Sequence, residues 1–366
     1  MSTHFVSLTI EDIRRETADC VSIAFSIPEQ WREAFRFHQG QNITVRTMIG
    51  GSEVRRSYSI CSSPLDDELR IAVKKVPGGL FSCFANDQLQ AGQTLEVLPP
   101  TGKFYTELNP GNRKQYLAFA AGSGITPVLS LIKTTLAMEP DSQFTLVYGN
   151  RYRPSIIFRE ALEAIKNRYM HRFSLHHILS RETMDLALHQ GRIDAAKCQE
   201  LCSRLIDLHS MDEIFLCGPG EMIFSVKDWL EKQGIERKKI HFELFHPLDN
   251  GGNIASVLPG KKKAPDEPAT TEETSEVTVR LDGVSHVFEL PYHGSSILDA
   301  ALHQGADLPF ACKGGVCCTC RARLIEGRVE MDLNYALEAD ELAAGFILTC
   351  QSHPRSPKVT IDFDSK

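Results

Sequence analysis

Long apolar runs are missing from this sequence. The longest, Tyr116 to Ile132, is broken by Gly122, Gly124 and Pro127, short of the roughly 20 consecutive apolar residues that a membrane span needs. Met1 to Ile10 lacks a basic stretch followed by an apolar core, so no secretory leader is expected. Basic residues are in the minority: 40 Lys and Arg stand against 47 Asp and Glu, a formal charge of −7. With no basic stripe interleaved with aromatics, nucleic acid is not an expected partner. No HExxH zinc motif occurs, and His176 and His177, adjacent on an expected strand, point to opposite faces and cannot share an ion. At 366 residues, 42% apolar and 24% charged, the composition suits a soluble cytoplasmic protein of two or three domains.

Cysteine, by contrast, is plentiful. A secreted chain with 11 cysteines would suggest disulfides, but four of these stand in the pattern C-x4-C-x2-C with a distant fourth: Cys312, Cys317, Cys320 and Cys350. That is the spacing with which plant-type ferredoxins hold a [2Fe–2S] cluster. Gly314 and Gly315 allow the backbone to bend tightly and aim amide N–H groups at sulfur. A structural zinc site more usually shows two C-x2-C knuckles, and a group of buried inert thiols needs no such spacing. Using Cys318 as a ligand would give x5 and x1 gaps, so its thiol is expected off the cluster. The other seven cysteines are scattered, as in a reducing cytoplasm. Cys198 and Cys202, four apart on an expected helix, read as semi-buried thiols.

The chain divides by periodicity into a multidomain protein. Residues 1–110 give short alternating segments separated by Gly and Pro (Phe5 to Ile10, Val21 to Phe25, Ile43 to Arg46, Leu69 to Lys74, Leu95 to Leu98), the pattern of a small antiparallel β-barrel. In residues 111–248, strands at Tyr116 to Ala121, Phe144 to Tyr148, Phe173 to Leu179, Ile214 to Cys217 and Ile240 to Phe245 alternate with helical stretches. That order calls for a parallel, doubly wound α/β sheet. Residues 249–275, with Lys261 to Lys263 and a Pro/Thr/Glu-rich run, are read as a flexible linker. Residues 276–366 show a hairpin turn at Asp282-Gly283, a short helix from Ser296 to Gln304 ended by Gly305, the cysteine loop, a strand near Arg321 to Ile325, a helical stretch Glu338 to Ala343, and strands near Phe346 to Cys350 and Val359 to Phe363. They form a small α+β domain resembling the ferredoxin fold.

Ligands of a doubly wound sheet lie at the carboxyl ends of its strands. Those ends carry Gly122-Ser123-Gly124-Ile125-Thr126-Pro127, then Gly149-Asn150-Arg151, then Ser180-Arg181, then Cys217-Gly218-Pro219. A glycine turn opening onto a helix that starts at Pro127, a favoured first helical position, presents free N–H groups to a pyrophosphate. Alone this signal is weak, because Pro127 replaces the third glycine of the Rossmann fingerprint; four such groups on one edge are harder to dismiss. An NAD site commonly places an acidic residue after the second strand, whereas Arg151 and Arg181 suit a 2′-phosphate, which favours NADPH over NADH. A solvated face is the alternative for these arginines, and a small buried core residue is the alternative for Cys217. In the barrel, Arg56 and Tyr58 share a strand face within Arg55-Arg56-Ser57-Tyr58-Ser59, and Gly78-Gly79-Leu80-Phe81-Ser82 offers a second glycine turn before a helix.

The order RxYS, GGxxS, GSGITP, CGP and Glu243-Leu244-Phe245 resembles the ferredoxin-NADP reductase superfamily, followed by a plant-type ferredoxin domain. Through Ser296 to Leu302, Ala306 to Pro309, CKGGVC, Asn334-Tyr335 and Asp340 to Gly345, the chain is similar to the reductase subunits of phenylacetyl-CoA 1,2-epoxidase complexes. Cys318 departs from that pattern, which expects a small residue there. The resemblance implies that Arg56 binds an FAD pyrophosphate, with Ser57 and Lys74 among the cofactor contacts, that Tyr58 packs on the isoalloxazine, and that Ser59 lies near its reactive N5. Gly78, Gly79 and Ser82 would complete the phosphate site. Thr126 and Cys217 would flank the nicotinamide, with Gly122, Ser123, Gly124, Arg151, Ser180, Arg181, Gly218 and Pro219 around the nucleotide, while Glu243 and Phe245 border the flavin. Relatives differ in carrying FAD or FMN; the nearest imply FAD. The implied activity is an electron-transfer oxidoreductase running from NADPH to FAD to [2Fe–2S] to the di-iron oxygenase subunits of a multicomponent epoxidase. A Rieske dioxygenase or a hybrid-cluster protein would be alternative acceptors, and a non-turnover redox sensor an alternative role.

Overall fold

The computed structural model describes residues 4–245 and 273–365. It falls into two compact units, Met1–Leu244 and Phe245–Lys366. Residues 249–272 of the expected linker, including Lys261 to Lys263, lie outside the described residues, and the linker's last two positions are already strand: β12 begins at Thr274, and Ser275 is fully buried in it.

The first unit opens with six antiparallel strands: β1 (Val6–Thr17), β2 (Cys20–Ser26), β3 (Asn42–Ile49), β4 (Ser52–Ser59), β5 (Leu69–Lys74) and β6 (Thr94–Val97). Their order is β4-β3-β6-β1-β2-β5. A bridge between Ile60 and Ile71 joins the two outer strands into a barrel. Alternation places Leu8, Ile10, Ile23, Ile43, Val45, Ile71 and Val97 inside, as the period of two requires. One helix, α1 (Leu80–Asp87), packs Phe81 and Ala85 onto this core. β4 is the strand whose own pattern is least apolar, SEVRRSYS. It is held by eight-residue pairing with β3, and only Val54 of its side chains enters the apolar core, with Tyr58 packed against it.

The rest of the unit is a five-stranded sheet: β7 (Gln115–Ala121), β8 (Gln143–Asn150), β9 (Phe173–Leu179), β10 (Glu213–Cys217) and β11 (Ile240–Glu243), all parallel in the order β11-β10-β7-β8-β9. The chain reverses direction between β7 and β10, which makes that crevice the topological switch point. Helices α2 (Ile125–Met138), α3 (Arg159–Arg168), α4 (Ala195–Cys202) and α5 (Gly220–Lys232) make the crossovers. Helix α2 starts two residues before the position expected from Pro127, because a 3-10 turn over Gly122–Gly124 runs directly into it. Proline is tolerated there since the first four N–H groups of a helix have no intrahelical acceptor.

The second unit holds β12 (Thr274–Leu281), β13 (Val284–Pro291), α6 (Ile297–His303), β14 (Arg321–Glu326), β15 (Val329–Met331), α7 (Ala339–Ala343), β16 (Phe346–Leu348), β17 (Ser352–Pro354) and β18 (Lys358–Asp362). The five-stranded sheet β13-β12-β18-β14-β16 clasps α6. The turn at Asp282-Gly283 has φ +51° and +76°, the two left-handed residues of a type I′ hairpin. Ser296 caps α6 through the Asp299 N–H, and Gly305 follows it at φ +85°, a glycine exit.

Candidate active site and cluster loop

The switch point is built from backbone approaching backbone. A Cβ on Gly124 would lie 2.0 Å from the Cys217 carbonyl oxygen and 2.8 Å from the Gly218 nitrogen. The two turns therefore sit back to back only because Gly124 carries no side chain. Gly122 has φ +54°, and its carbonyl accepts from Tyr148 Oη at 2.9 Å. Thr126 is buried and donates to the Ser123 carbonyl at 3.0 Å, bracing the turn. Helix α5 has no side-chain cap and follows Pro219, so its first N–H groups are available to an anion; at α2 the Ile125 N–H is already taken by the Gly122 and Ser123 carbonyls and Pro127 has none.

Beyond the ends of β8 and β9, pairing continues: Ser180 N–H donates to Asn150 O at 2.9 Å and Arg181 N–H to Arg151 O at 3.0 Å. That extension sets Arg151 and Arg181 side by side, both exposed. Arg153 instead pairs with Glu182. From the barrel, Lys74 Nζ comes within 3.8 Å of the position a Gly122 Cβ would take.

On the barrel, Arg56 is exposed and bonds its own neighbour's carbonyl, Arg55 O, at 2.7 Å. Tyr58, two residues on, packs against Phe81 of α1 at 5.4 Å between ring centroids, and burial pushes its hydroxyl pKa well up. The strand face with Arg56 and Tyr58 thus adjoins the glycine turn that starts α1. Gly78 has φ +77° there, a Cβ on Gly79 would fall 2.5 Å from Ser82 Oγ, and α1 has no side-chain cap. Ser82 Oγ accepts from Val76 N–H at 3.1 Å, which fixes the turn from inside. Ser57 faces the other way and shares a hydrogen bond with Thr44 at 3.0 Å. A cation, an aromatic face and uncapped N–H groups around a Cβ-free cradle fit a flavin nucleotide.

The two halves meet at one carboxyl. Ser59 Oγ donates to Glu243 Oε2 at 2.8 Å, and the Asn42 amide also hydrogen-bonds that carboxyl. Cys217 is fully buried beside Glu243 across β10 and β11, and burial, with the Glu243 charge adding to it, raises its thiol far above the ordinary range. It is a neutral, apolar wall at neutral pH. Burial likewise raises Glu243 to about 7, against the two hydrogen bonds that lower it. Phe245 is half-buried at the edge of the described residues. Asn42 carried no signal in the sequence: it is the polar first residue of β3, and its part in this site exists because Glu243 is folded onto it.

In the second unit the four cysteines form two pairs, Cys312 with Cys317 and Cys320 with Cys350. Gly314 N–H points at Cys312 Sγ from 3.3 Å. The thiol of Cys317 and the N–H groups of Gly314, Val316 and Cys317 together draw Cys312 below the usual thiol range. Cys350 is lowered in the same way, by Cys320 first and then by Gly315 N–H and the Gln351 side chain. Two pairs with amides converging on sulfur fit two irons with two thiolates each. Cys318, at φ +54°, directs its sulfur to the Ala336 carbonyl at 3.1 Å. His176 and His177 do diverge, one toward His189 and the other toward Tyr148. Cys198 is fully buried and Cys202 half-buried on α4.

These three sites define an oxidoreductase that draws electrons from a nicotinamide nucleotide through FAD to a [2Fe–2S] cluster. Models for an oxidoreductase FAD-binding domain, an oxidoreductase NAD-binding domain and a 2Fe-2S iron-sulfur cluster binding domain match residues 7–105, 119–228 and 279–355. The chain belongs to the ferredoxin-NADP reductase superfamily, in the group that carries a C-terminal ferredoxin domain. It is 45% identical to a subunit of the 1,2-phenylacetyl-CoA epoxidase of Escherichia coli K12, across 100% of this chain and 99% of that one. It is 35% identical to the ferredoxin reductase component of 3-ketosteroid-9-alpha-monooxygenase of Rhodococcus rhodochrous, across 98% and 97%. In fold it is similar to phthalate dioxygenase reductase, with a TM-score of 0.55, 23% identity and 98% of both chains covered. It also matches an intact type IV self-sufficient cytochrome P450 monooxygenase, with a TM-score of 0.67 and 20% identity, over 98% of this chain and 41% of that one. No helix among the described residues is long and apolar enough to cross a membrane.

The raised Glu243 pKa has a sign. An unfolded glutamate ionises near 4.5, the folded one near 7, so between these values the folded state holds the extra proton and stability falls as pH rises. Glu243→Gln should remove that decline. Thermal melting across this window checks it; parallel wild-type and variant curves would contradict it.

Proposed function

We propose that this protein is the NADPH-dependent reductase of a multicomponent epoxidase, feeding di-iron oxygenase subunits that act on phenylacetyl-CoA in the cytoplasm. The observation that carries the reading is the 45% identity to a phenylacetyl-CoA epoxidase component, which runs through all three domains. It is supported by the run from Ser296 through Pro309 into the cysteine loop. FAD, when bound, accepts a two-electron hydride and gives up single electrons, which a [2Fe–2S] cluster can carry to an acceptor.

The residues divide the work. Arg56, Gly78, Gly79 and Ser82 hold the flavin pyrophosphate, and Tyr58 lies against the ring with Ser57 and Lys74 nearby. The turn Gly122-Ser123-Gly124, Thr126 and the Cys217-Gly218-Pro219 turn hold the nicotinamide end of the nucleotide. Ser59, Glu243 and Phe245 close the reacting region: Ser59 holds the Glu243 carboxyl, and buried Cys217 helps exclude water. Residues 1–110, 111–248 and 276–366 serve as the flavin, nucleotide and cluster domains, with Cys312, Cys317, Cys320 and Cys350 as ligands. Arg151 and Arg181, with Ser180, bind the 2′-phosphate, which makes NADPH the preferred donor over NADH.

Arg151→Ala with Arg181→Ala should raise KM for NADPH about tenfold or more while leaving KM for NADH nearly unchanged, since removing a charge-assisted contact costs roughly 1.5–3 kcal/mol. Equal changes for both donors would remove these arginines from the site. Cys312→Ser should lose cytochrome c reduction yet keep NADPH-driven ferricyanide reduction. Reconstituted with epoxidase oxygenase subunits and phenylacetyl-CoA, wild type should sustain epoxide formation and Cys312→Ser should not. Steady ferricyanide turnover without any epoxide from wild type would refute the proposed acceptor, and no turnover at all would point to a sensor.

A further inference from the structure

We infer that Gln351 sets the electron affinity of the cluster by donating a side-chain hydrogen bond to the sulfur of Cys350. The inference rests on Cys350 being a cluster ligand. Gln351 is only 8% exposed. Its Nε2 lies 2.9 Å from the Lys313 carbonyl, 3.0 Å from the Cys350 carbonyl and 3.6 Å from Cys350 Sγ.

The orientation of the amide is fixed by chemistry. Both carbonyl oxygens can only accept, so the nitrogen and not the oxygen of Gln351 must face them. The same nitrogen is then the atom presented to sulfur, and its two hydrogens serve three acceptors, so the contact to Cys350 Sγ is the longer, shared one. Lys313 stands between Cys312 and Cys317, whereas Cys350 belongs to the other cysteine pair, so one side chain ties the loop of the first pair to a sulfur of the second. Gly315 makes room for it: at φ +73°, a Cβ there would come within 3.3 Å of Gln351 Cγ and 2.9 Å of the Leu333 carbonyl.

A ligand sulfur gains negative charge when the cluster takes up an electron. An N–H directed at that sulfur stabilises the reduced form more than the oxidised one and raises the potential. Most other donors around these sulfurs are backbone amides of Gly314, Gly315, Val316 and Cys317, which substitution does not remove. Gln351 is a donor that evolution can switch off with one codon, which suits it to matching the cluster to a particular acceptor.

The test is a mediated redox titration of the holoprotein, with the cluster followed by EPR and the flavin by absorbance, in wild type, Gln351→Met and Gln351→Leu. At a fixed ambient potential near the midpoint, the reduced-to-oxidised ratio of the cluster should fall about 3- to 10-fold in both variants, the range set by one modest hydrogen bond. Tenfold is about 59 mV for a one-electron couple. The flavin midpoint should stay put, and the EPR g-values should shift. An unmoved cluster potential in loaded protein, or loss of the cluster from both variants, would make Gln351 a brace for the loop and overturn the inference. Wild type that binds no cluster would instead sink the ligand reading on which it rests.

Discussion

Ser59 and Glu243 are 184 residues apart in the chain and joined by a hydrogen bond of 2.8 Å. That contact pins the edge where the barrel meets the parallel sheet, and the site proposed for the first unit is built around it. Ser59 ends β4, the strand bearing Arg56 and Tyr58; Glu243 ends β11, next to β10 and Cys217. Joining the two strand ends brings a flavin-type cradle and a nucleotide-type switch point to one place. A bond between a hydroxyl and a carboxyl is worth little in water, but here burial has already raised Glu243 and made an unpaired carboxyl costly. The Ser59 and Asn42 partners keep that cost down.

A second polar seam holds the same junction from behind. Ser130 of α2 donates to the Ser62 carbonyl at 2.6 Å, and Ser63 and Thr134 share a hydrogen bond of 2.9 Å. These groups are buried and matched, so barrel and sheet are registered by directional bonds rather than by apolar area alone. A hydride donor and acceptor need fixed distance and orientation, which such bonds supply. The [2Fe–2S] unit belongs to a separate compact body. Electron tunnelling needs proximity more than angular precision, so the two kinds of transfer can be housed in bodies of different design.

Much of this was legible in the sequence, for reasons that can be named. Cysteine spacing specifies a cluster loop because ligand geometry tolerates few alternatives, and glycine turns show where backbone must pass backbone, as at Gly124. The hairpin at Asp282-Gly283 and the cap at Ser296 were readable because they are local. The start of α2 was not, since the 3-10 turn over Gly122–Gly124 runs straight into it and leaves no break for the sequence to show. Strand β4 was visible only as a motif, because its charged pattern carries no apolar alternation. Asn42 left no local trace, being defined by a contact about two hundred residues away. Gln351 did leave one, its place next to Cys350, but adjacency says nothing about which way an amide points.

The central claim is that electrons from the nucleotide reach the cysteine-bound cluster only by way of the flavin held at Arg56, Tyr58 and Ser59. It is tested most directly by removing flavin from the holoprotein, leaving the cluster intact, and adding NADPH without oxygen while the cluster EPR signal is recorded. The account predicts that the cluster stays oxidised until FAD is restored and is then reduced. Reduction of the cluster by NADPH in the flavin-free protein would contradict it.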